Sequence, residues 1–155
     1  MWKSRTVLLA GLSLLILGCH GEERRLKAEQ EAAVLGAEAT LKRYMEALRT
    51  GDCKTAYYCL SWHRRQEITL EQVESDYKAH RDRYHYRAGA KLERSLYDGF
   101  RVVSRIVNGE GKTEFVALVQ EDGAWKIEST GRSYGDAIDR AERLGGSLHP
   151  EADKP

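Results

Sequence analysis

The chain has 155 residues, of which 25 are basic and 24 acidic, so its formal net charge is +1. Such a balance does not favour nucleic acid or an acidic substrate as a partner, because both require a localised basic excess. The length fits one domain with a modest hydrophobic core rather than several domains.

The first residues have the pattern of an export signal. Lys3 and Arg5 precede an apolar run from Val7 to Gly18, and charged sequence follows directly after Cys19. A basic start followed by a short apolar run and a small residue is typical of signal peptides. The run is shorter than the ~20 apolar residues that a membrane-spanning helix needs. We therefore predict a cleaved signal over residues 1–18 rather than a transmembrane anchor.

The end of this signal resembles the bacterial lipobox, in which a branched residue and a small residue precede a cysteine that becomes acylated. The matching residues here are Ile16, Leu17, Gly18 and Cys19. The resemblance implies that Cys19 is the lipid-bearing first residue of the mature protein, with the lipid bilayer as a partner. His20, in place of an aspartate, implies the outer membrane, with the protein facing the periplasm. The alternative is an ordinary signal peptide that ends near a free cysteine.

The next part of the chain predicts a tether and then a long helix. Residues 19–31 are mostly charged and predict a short, stiff and solvated helical tether. Apolar residues then recur at helical spacing through residues 32–50, which predicts the first helix of the domain. These residues are Ala37, Leu41, Tyr44 and Leu48.

Two further helices are predicted from their capping residues. Gly51 suits the end of the first helix, and Asp52 suits the N-cap of a second one. Thr69 and Gln72 have the spacing of a capping box, which predicts a third helix that ends near Gly89. The apolar stripe of this third helix comprises Leu70, Val73, Tyr77, His80 and Tyr84. The segment between the second and third helices is interpreted as a polar link.

The two remaining cysteines, Cys53 and Cys59, form an even pair for an oxidising compartment. If both lie in one helix, their α-carbons are ~9 Å apart along its axis, which is beyond the reach of a disulfide. Two buried free thiols are therefore favoured, and a bridge stays possible only if the helix is broken.

The second half of the chain changes to strand-like patterns. Alternation begins after Ala90, and β-branched residues dominate 101–107. Further runs over 113–120 and 125–127 follow turn residues, which predicts two hairpins in series. A short helix over 133–144 and a disordered tail over 145–155 complete the prediction. The fold class is α+β, with N-terminal helices on one face of a curved antiparallel sheet of about four strands.

This order of elements resembles the nuclear transport factor 2-like superfamily. The resemblance covers a first helix that closes on Gly51-Asp52 and a last strand that opens with Trp125. The residues that carry it are Ala37, Leu41, Tyr44, Ala47, Leu48, Gly51, Asp52 and 122–127. It implies a domain over residues 32–144, in which a bent sheet wraps around the first helix and leaves a cavity at the mouth of a cone. The superfamily includes both enzymes and non-catalytic binders, so fold alone does not fix function.

The polar residues do not form a recognisable catalytic or metal site. Asp52 is better explained as a helix cap, and Asp76 as a solvated carboxylate. His80 lies on the predicted apolar stripe, where a core or rim histidine is commoner than a catalytic base. Metal-ligand spacings, phosphate loops and nucleophile motifs are missing from the sequence, so no cofactor, metal or catalytic residue is predicted.

Aromatic residues are the most distinctive chemical feature, because rings with polar tips can line a pocket for an apolar or amphipathic ligand. The candidate pocket residues are Tyr44, Tyr57, Trp62, Tyr77, His80 and Trp125. We predict a membrane-anchored periplasmic lipoprotein whose non-catalytic domain binds a small apolar ligand or an envelope protein. One alternative is an isomerase-like or dehydratase-like enzyme of the same fold. The other is a structural subunit of an envelope complex.

Overall fold

The structure is a computed structural model that describes residues 6–82, 84 and 89–131, with side chains described for residues 21–82, 84 and 89–129. The chain divides into two units, Met1–Ala32 and Ala33–Pro155. Three predictions lie outside this described part. The acylation of Cys19 concerns a side chain that is not described, and the helix over 133–144 and the tail over 145–155 concern residues that are not described.

Four helices with described bounds precede the sheet, and Arg81, Asp82 and Tyr84 are also helical. The four helices are α1 (Thr6–Thr50), α2 (Cys53–Cys59), α3 (Trp62–Glu67) and α4 (Leu70–Ala79). Residues 21–32 of α1 are exposed, as expected for a charged segment, whereas the apolar stripe that begins at Ala37 is buried. The prediction of the first helix and of its buried face is therefore confirmed.

The corner between α1 and α2 is formed by Gly51 and Asp52. Gly51 has a φ of +78°, a left-handed conformation that glycine adopts without steric cost. A carboxylate oxygen of Asp52 then accepts a hydrogen bond of 2.9 Å from the backbone N–H of Thr55. Both predicted capping roles are confirmed, and α2 starts directly after α1 as a result.

Two details of the helical half differ from the predictions. The segment interpreted as a polar link contains α3, whose N-cap is Ser61; the Ser61 hydroxyl accepts a bond of 3.2 Å from the backbone N–H of Arg64. The capping box of Thr69 and Gln72 is confirmed, but α4 ends at Ala79. His80 leaves the helical region with φ −132° and ψ 42°, and its side chain is 53% exposed. The predicted apolar stripe therefore does not extend to His80.

The sheet is an antiparallel meander in the order β1-β2-β3-β4, which confirms the predicted topology and the α+β class. Its strands are β1 (Lys91–Tyr97), β2 (Arg101–Val107), β3 (Thr113–Glu121) and β4 (Ala124–Gly131). The β1–β2 and β3–β4 turns lie at the same end of the sheet, because consecutive turns of a meander alternate between its ends. We call this end the Trp125 end.

The main core lies between α1 and one face of the sheet. Ala37 and Leu41 of α1 pack against residues of β2, β3 and β4, and Cys59 completes the cluster from α2. The contributing strand residues are Val102, Ile106, Val116, Leu118 and Ile127. A smaller cluster of Ala47, Leu48 and Ala56 joins α1 to α2. The two clusters place the helical corner beside the last strand.

The outer edge of β4 is partly covered by the link between α2 and α3. Leu60 forms a parallel bridge with Ile127, and the backbone N–H of Ser61 donates a bond of 2.8 Å to the Ile127 carbonyl. This link ties the α2–α3 connection to the middle of β4, where the cavity described below is found.

Candidate functional site

A small cavity of about 110 Å³ lies among the helices and β4. Its walls are mostly apolar side chains, with tyrosines from α1 and α2 and one residue each from α3 and α4. The lining residues are Tyr44, Leu48, Ala56, Tyr57, Leu60, Arg64, Ile68, Val73, Tyr84, Ile127 and Ser129. Polar and apolar atoms contribute nearly equally to its surface, so a partly enclosed space of this kind suits a small ligand with both characters.

The cavity exists because small residues occupy positions where large ones would fill it. Ala56 is 1% exposed and faces the space from α2, and Ser129 faces it from β4. Leu48 and Ile127 form apolar walls that are 2% and 1% exposed. The corner at Gly51 and Asp52 brings α2 back against α1, which encloses the space from the helical side.

The polar groups of the lining are bonded to neighbouring residues. The Tyr57 hydroxyl donates a bond of 3.4 Å to the backbone carbonyl of Arg65. The Tyr84 hydroxyl donates to the Asp76 carboxylate, and the imidazole Nε2 of His80 is 3.7 Å from the same carboxylate. Asp76 and His80 are about half exposed, so this group of three runs from the cavity wall to solvent.

Charge at the cavity comes from Arg64, whose guanidinium pairs with the Glu67 carboxylate one helical turn away. This side chain is 40% exposed, so the pair is screened by water and contributes little to stability. A charged group at a partly open wall can orient the polar end of a ligand without the cost of a fully buried ion.

A second depression lies on the other side of the α1–α2 corner. It is a wide groove of about 460 Å³, lined by Gly51, Asp52, Cys53, Lys54, Glu74, Tyr77 and Lys78. Tyr77 packs against Tyr84, with ring centroids 5.3 Å apart, so the two tyrosines separate this groove from the cavity. Its lining is mainly charged and polar, which makes it a poor match for an apolar ligand.

The structure distributes the six candidate pocket residues over several places. Tyr44 and Tyr57 line the cavity, and Tyr77 lines the wide groove. Trp62 is 62% exposed at the start of α3. His80 lies at the end of α4 near Asp76, and Trp125 packs edge to face against Tyr97 at 6.2 Å.

Several lining residues were not among the sequence candidates. Arg64 and Ile68 lie in the segment interpreted as a polar link. Because α3 was not predicted there, these two residues were not considered as pocket candidates. Ser129 is an unremarkable strand residue, and no sequence signal marks it. Tyr84 could have been found, because it belongs to the same predicted helical stripe as Tyr77.

The two cysteines lie at opposite ends of α2 and are both free. Burial raises the pKa of the Cys59 thiol, and burial also raises that of Cys53, with smaller contributions from nearby carboxylates. A raised pKa lowers the thiolate fraction at neutral pH and with it the reactivity of both thiols. The favoured interpretation of two buried thiols on an unbroken helix is confirmed.

Within the described residues, no three histidine, cysteine or carboxylate side chains come together as a metal site. The same part of the chain contains no helix with both the length and the apolar character that crossing a membrane requires. Comparisons of the chain with protein families, with curated proteins and with solved structures gave no match.

Proposed function

We propose that this protein is an envelope lipoprotein, acylated at Cys19, whose domain binds a small amphipathic ligand without chemical conversion. The observation that carries the binding role is the tyrosine-lined cavity between α1, α2, α4 and β4. Its inner walls are apolar, and its polar groups are hydroxyls and the guanidinium of Arg64. This arrangement favours recognition of a ligand over acid–base catalysis, which needs a titratable group held at the reacting atom.

The membrane anchor is supported by the sequence at the N-terminus. A basic start, a short apolar run and a lipobox-like end precede Cys19. Several acyl chains on one cysteine give stable anchoring, whereas one chain alone binds only marginally. Substitution Cys19→Ser should release the protein from membranes or leave the precursor uncleaved. Unchanged fractionation with normal processing would contradict the anchor.

The fold that we propose for the domain is the nuclear transport factor 2-like cone. Support comes from the element order and from α1 packing on one sheet face through Ala37 and Leu41. Further support comes from two irregularities in strand pairing, in which the extra residue is Glu93 in β1 and Glu128 in β4. Such bulges bend strands and increase their twist, as a sheet that curves around a helix requires.

The size of the cavity limits the ligand. An apolar cavity of ~150 Å³ can hold benzene. A volume of about 110 Å³ therefore suits a small ring or a short aliphatic chain. Arg64 and the tyrosine hydroxyls favour a molecule with one polar or acidic group at the rim. We expect phenol, a single ring with one hydroxyl, to serve as a probe.

The binding proposal is tested by filling the cavity. Ala56→Leu adds bulk to the wall and should abolish binding of the probe, measured by thermal shift and by chemical shift changes of the tyrosine rings. Ala124→Leu is the matched control, because Ala124 is exposed in the β3–β4 turn region and does not line the cavity. Equal probe binding by both variants would contradict a ligand site at this place.

An isomerase-like enzyme is the second candidate, and one observation favours it. The Tyr84 hydroxyl lies at the cavity wall, bonded to the Asp76 carboxylate, which in turn lies near His80. Such a relay could exchange a proton with a bound carbonyl compound. Deuterium exchange at the carbon next to the carbonyl of cyclopentanone distinguishes the two roles. The enzyme predicts catalysed exchange that Asp76→Asn removes, whereas the binder predicts exchange at the rate of buffer.

A further inference from the structure

Three aromatic side chains of the described residues are exposed at the Trp125 end of the sheet. Phe100 occupies the β1–β2 turn and is 76% exposed. Trp62, 62% exposed, is bonded through its backbone N–H to Glu121 at the end of β3. Tyr58, 49% exposed, is bonded through its carbonyl to Lys126 near the start of β4. Three exposed rings at one end of a small domain form a feature that usually marks contact with a partner or a membrane.

The backbone at these rings is fixed by buried or bonded carboxylates. One oxygen of Asp98 accepts bonds from the backbone N–H groups of Phe100, at 2.9 Å, and Arg101, at 2.7 Å. The two oxygens of Glu121 lie 3.0 and 2.9 Å from the backbone nitrogen of Trp62. These bonds fix the backbone of Phe100 and Trp62, so the exposure of the two rings follows from the folded structure.

Charges of both signs lie near the rings, with Asp98, Glu121 and the exposed Asp122 among them, and basic groups lie beside the Tyr58 ring. The ammonium of Lys126 donates a bond of 2.7 Å to the Tyr58 carbonyl, and the guanidinium of Arg65 lies 5.9 Å from the centre of the Tyr58 ring. The carboxylates of Asp98 and Glu121 are already used in bonds to backbone N–H groups. Aromatic rings next to basic groups match the interfacial layer of a bilayer, where tryptophan and tyrosine are enriched and anionic headgroups attract lysine and arginine.

The chain enters the domain at this same end. A Cβ at Gly36 of α1 would lie 2.7 Å from the Trp125 ring, whereas Leu48, further along α1, lines the cavity with Ser129 at the far part of β4. Ala33 lies fourteen positions after Cys19. The segment between them spans ~21 Å as a helix and at most ~50 Å if fully extended. An acyl anchor at Cys19 therefore keeps the point where the chain enters the domain within ~50 Å of the bilayer.

We infer that the Trp125 end docks on the phospholipid surface of the membrane, with the rings of Phe100, Trp62 and Tyr58 in the headgroup layer. The inference rests on the acyl anchor of the proposed function and is independent of the ligand cavity. The tether gives the domain a high effective concentration of lipid. Contacts between the rings and lipid that would be too weak for binding by a free domain are then sufficient for docking. A docked domain would have a defined orientation, with the sheet end that carries the β2–β3 turn directed away from the lipid.

Tryptophan fluorescence tests this inference, because the chain has three tryptophans and one of them, Trp2, lies in the predicted signal. The mature lipoprotein is reconstituted into vesicles of phosphatidylcholine and phosphatidylglycerol that contain brominated lipid as a quencher. Its mass is measured first to establish the acyl chains. We expect brominated lipid to quench the emission, and Trp62→Phe to remove the quenched component. Trp125, which packs against α1, provides the internal reference.

A second variant controls for misfolding of the Trp62→Phe protein. Phe100→Trp in the Trp62→Phe background should restore quenching by lipid, because position 100 is exposed in the adjacent turn. Failure of brominated lipid to quench an acylated protein, while aqueous acrylamide quenches Trp62, overturns the docking and leaves the anchor intact. Protection of Trp62 from both quenchers in intact envelopes also overturns it, in favour of a protein or glycan partner. A mature chain without acyl groups overturns both proposals.

Discussion

Gly36 and Trp125 are in direct contact across the interface between α1 and the last strand. A Cβ atom at Gly36 would lie 2.7 Å from Cδ1 and 2.9 Å from Nε1 of the Trp125 ring, closer than side chains tolerate. The hydroxyl of Thr40, one turn later in α1, donates a bond of 3.2 Å to the Trp125 carbonyl. The pair fixes α1 against the start of β4 and explains why Trp125 does not line the cavity.

Gly36→Ala should destabilise the domain. Alanine improves helix propensity by up to ~1 kcal/mol, but its methyl group forces the tryptophan ring to move, and overpacking of this kind costs ~1–3 kcal/mol. We expect a net loss of up to ~2 kcal/mol in the free energy of unfolding, measured by urea denaturation. Gly21→Ala is the control, since no atom lies within 4 Å of a Cβ at that helical position. An unchanged or higher stability of Gly36→Ala would contradict the tight contact.

The N-cap of α2 should make stability depend on pH. The hydrogen bonds from Thr55, first from its side chain and then from its backbone N–H, lower the pKa of the Asp52 carboxyl. The stabilisation is therefore present above the unfolded pKa of ~3.9 and is lost as the pH falls through the lowered folded value.

Asp52→Asn keeps an acceptor oxygen but does not titrate, so it isolates the contribution of the charge. The difference in unfolding free energy between the native protein and this variant should shrink as the pH falls below about 4. Denaturant titrations at several pH values measure it. A difference that stays constant over this range would show that the charge of Asp52 does not contribute.

Cys53 and Cys59 should remain reduced even in an oxidising compartment, because an intact α2 keeps their α-carbons ~9 Å apart along its axis. Alkylation after denaturation without reductant should add a label to both. In the native protein both should react slowly, since burial raises the pKa of each thiol. Cys59, at 5% exposure, should react more slowly than Cys53, at 9%. A protein that takes up no label and is lighter by two hydrogens would contradict this.

Local rules of helix and turn formation were enough to predict most of the fold. The caps at Gly51, Asp52 and Thr69 depend on residues next to the bonds they make, so the sequence predicts them directly. The Asp122-Gly123 turn is similar, because both residues adopt positive φ, at +49° and +75°, as a two-residue hairpin turn requires. The same local rules missed α3, whose six residues lack an apolar period and whose backbone is held by Ser61 and Glu121.

The candidate site was harder to predict, because a cavity is the space that remains between elements. Tyr44 and Tyr57 were identified from their residue type, but the same reasoning grouped them with Trp62 and Trp125. In the structure, contacts between residues far apart in the sequence hold Trp62 and Trp125 outside the cavity. Glu121 bonds to the backbone of Trp62, and Gly36 packs against the ring of Trp125. Composition and period carry no information on such contacts, and the size of the space depends on Ala56 and Ser129, which no motif marks.

The buried carboxylate of Asp98 should be replaceable by an amide but not by a methyl group. Asp98 is 3% exposed and accepts bonds from two backbone N–H groups in the β1–β2 turn. Asn108, 5% exposed, has the same role after β2, where its side-chain oxygen accepts from Glu110 at 3.2 Å and from Lys112 at 2.8 Å. One of the two turns thus already uses an amide.

Asp98→Ala leaves both N–H groups without their acceptor, which should lower the free energy of unfolding by ~1–3 kcal/mol in urea denaturation. Asp98→Asn retains the accepting oxygen and should lose less than the alanine variant. A small cost is expected because its NH₂ group would face Arg101, whose Nε lies 3.9 Å from the present Oδ2. Asn108→Ala is the matched variant and should resemble Asp98→Ala. Equal losses for Asp98→Asn and Asp98→Ala would show that charge, and not the acceptor for the turn, is what the domain requires there.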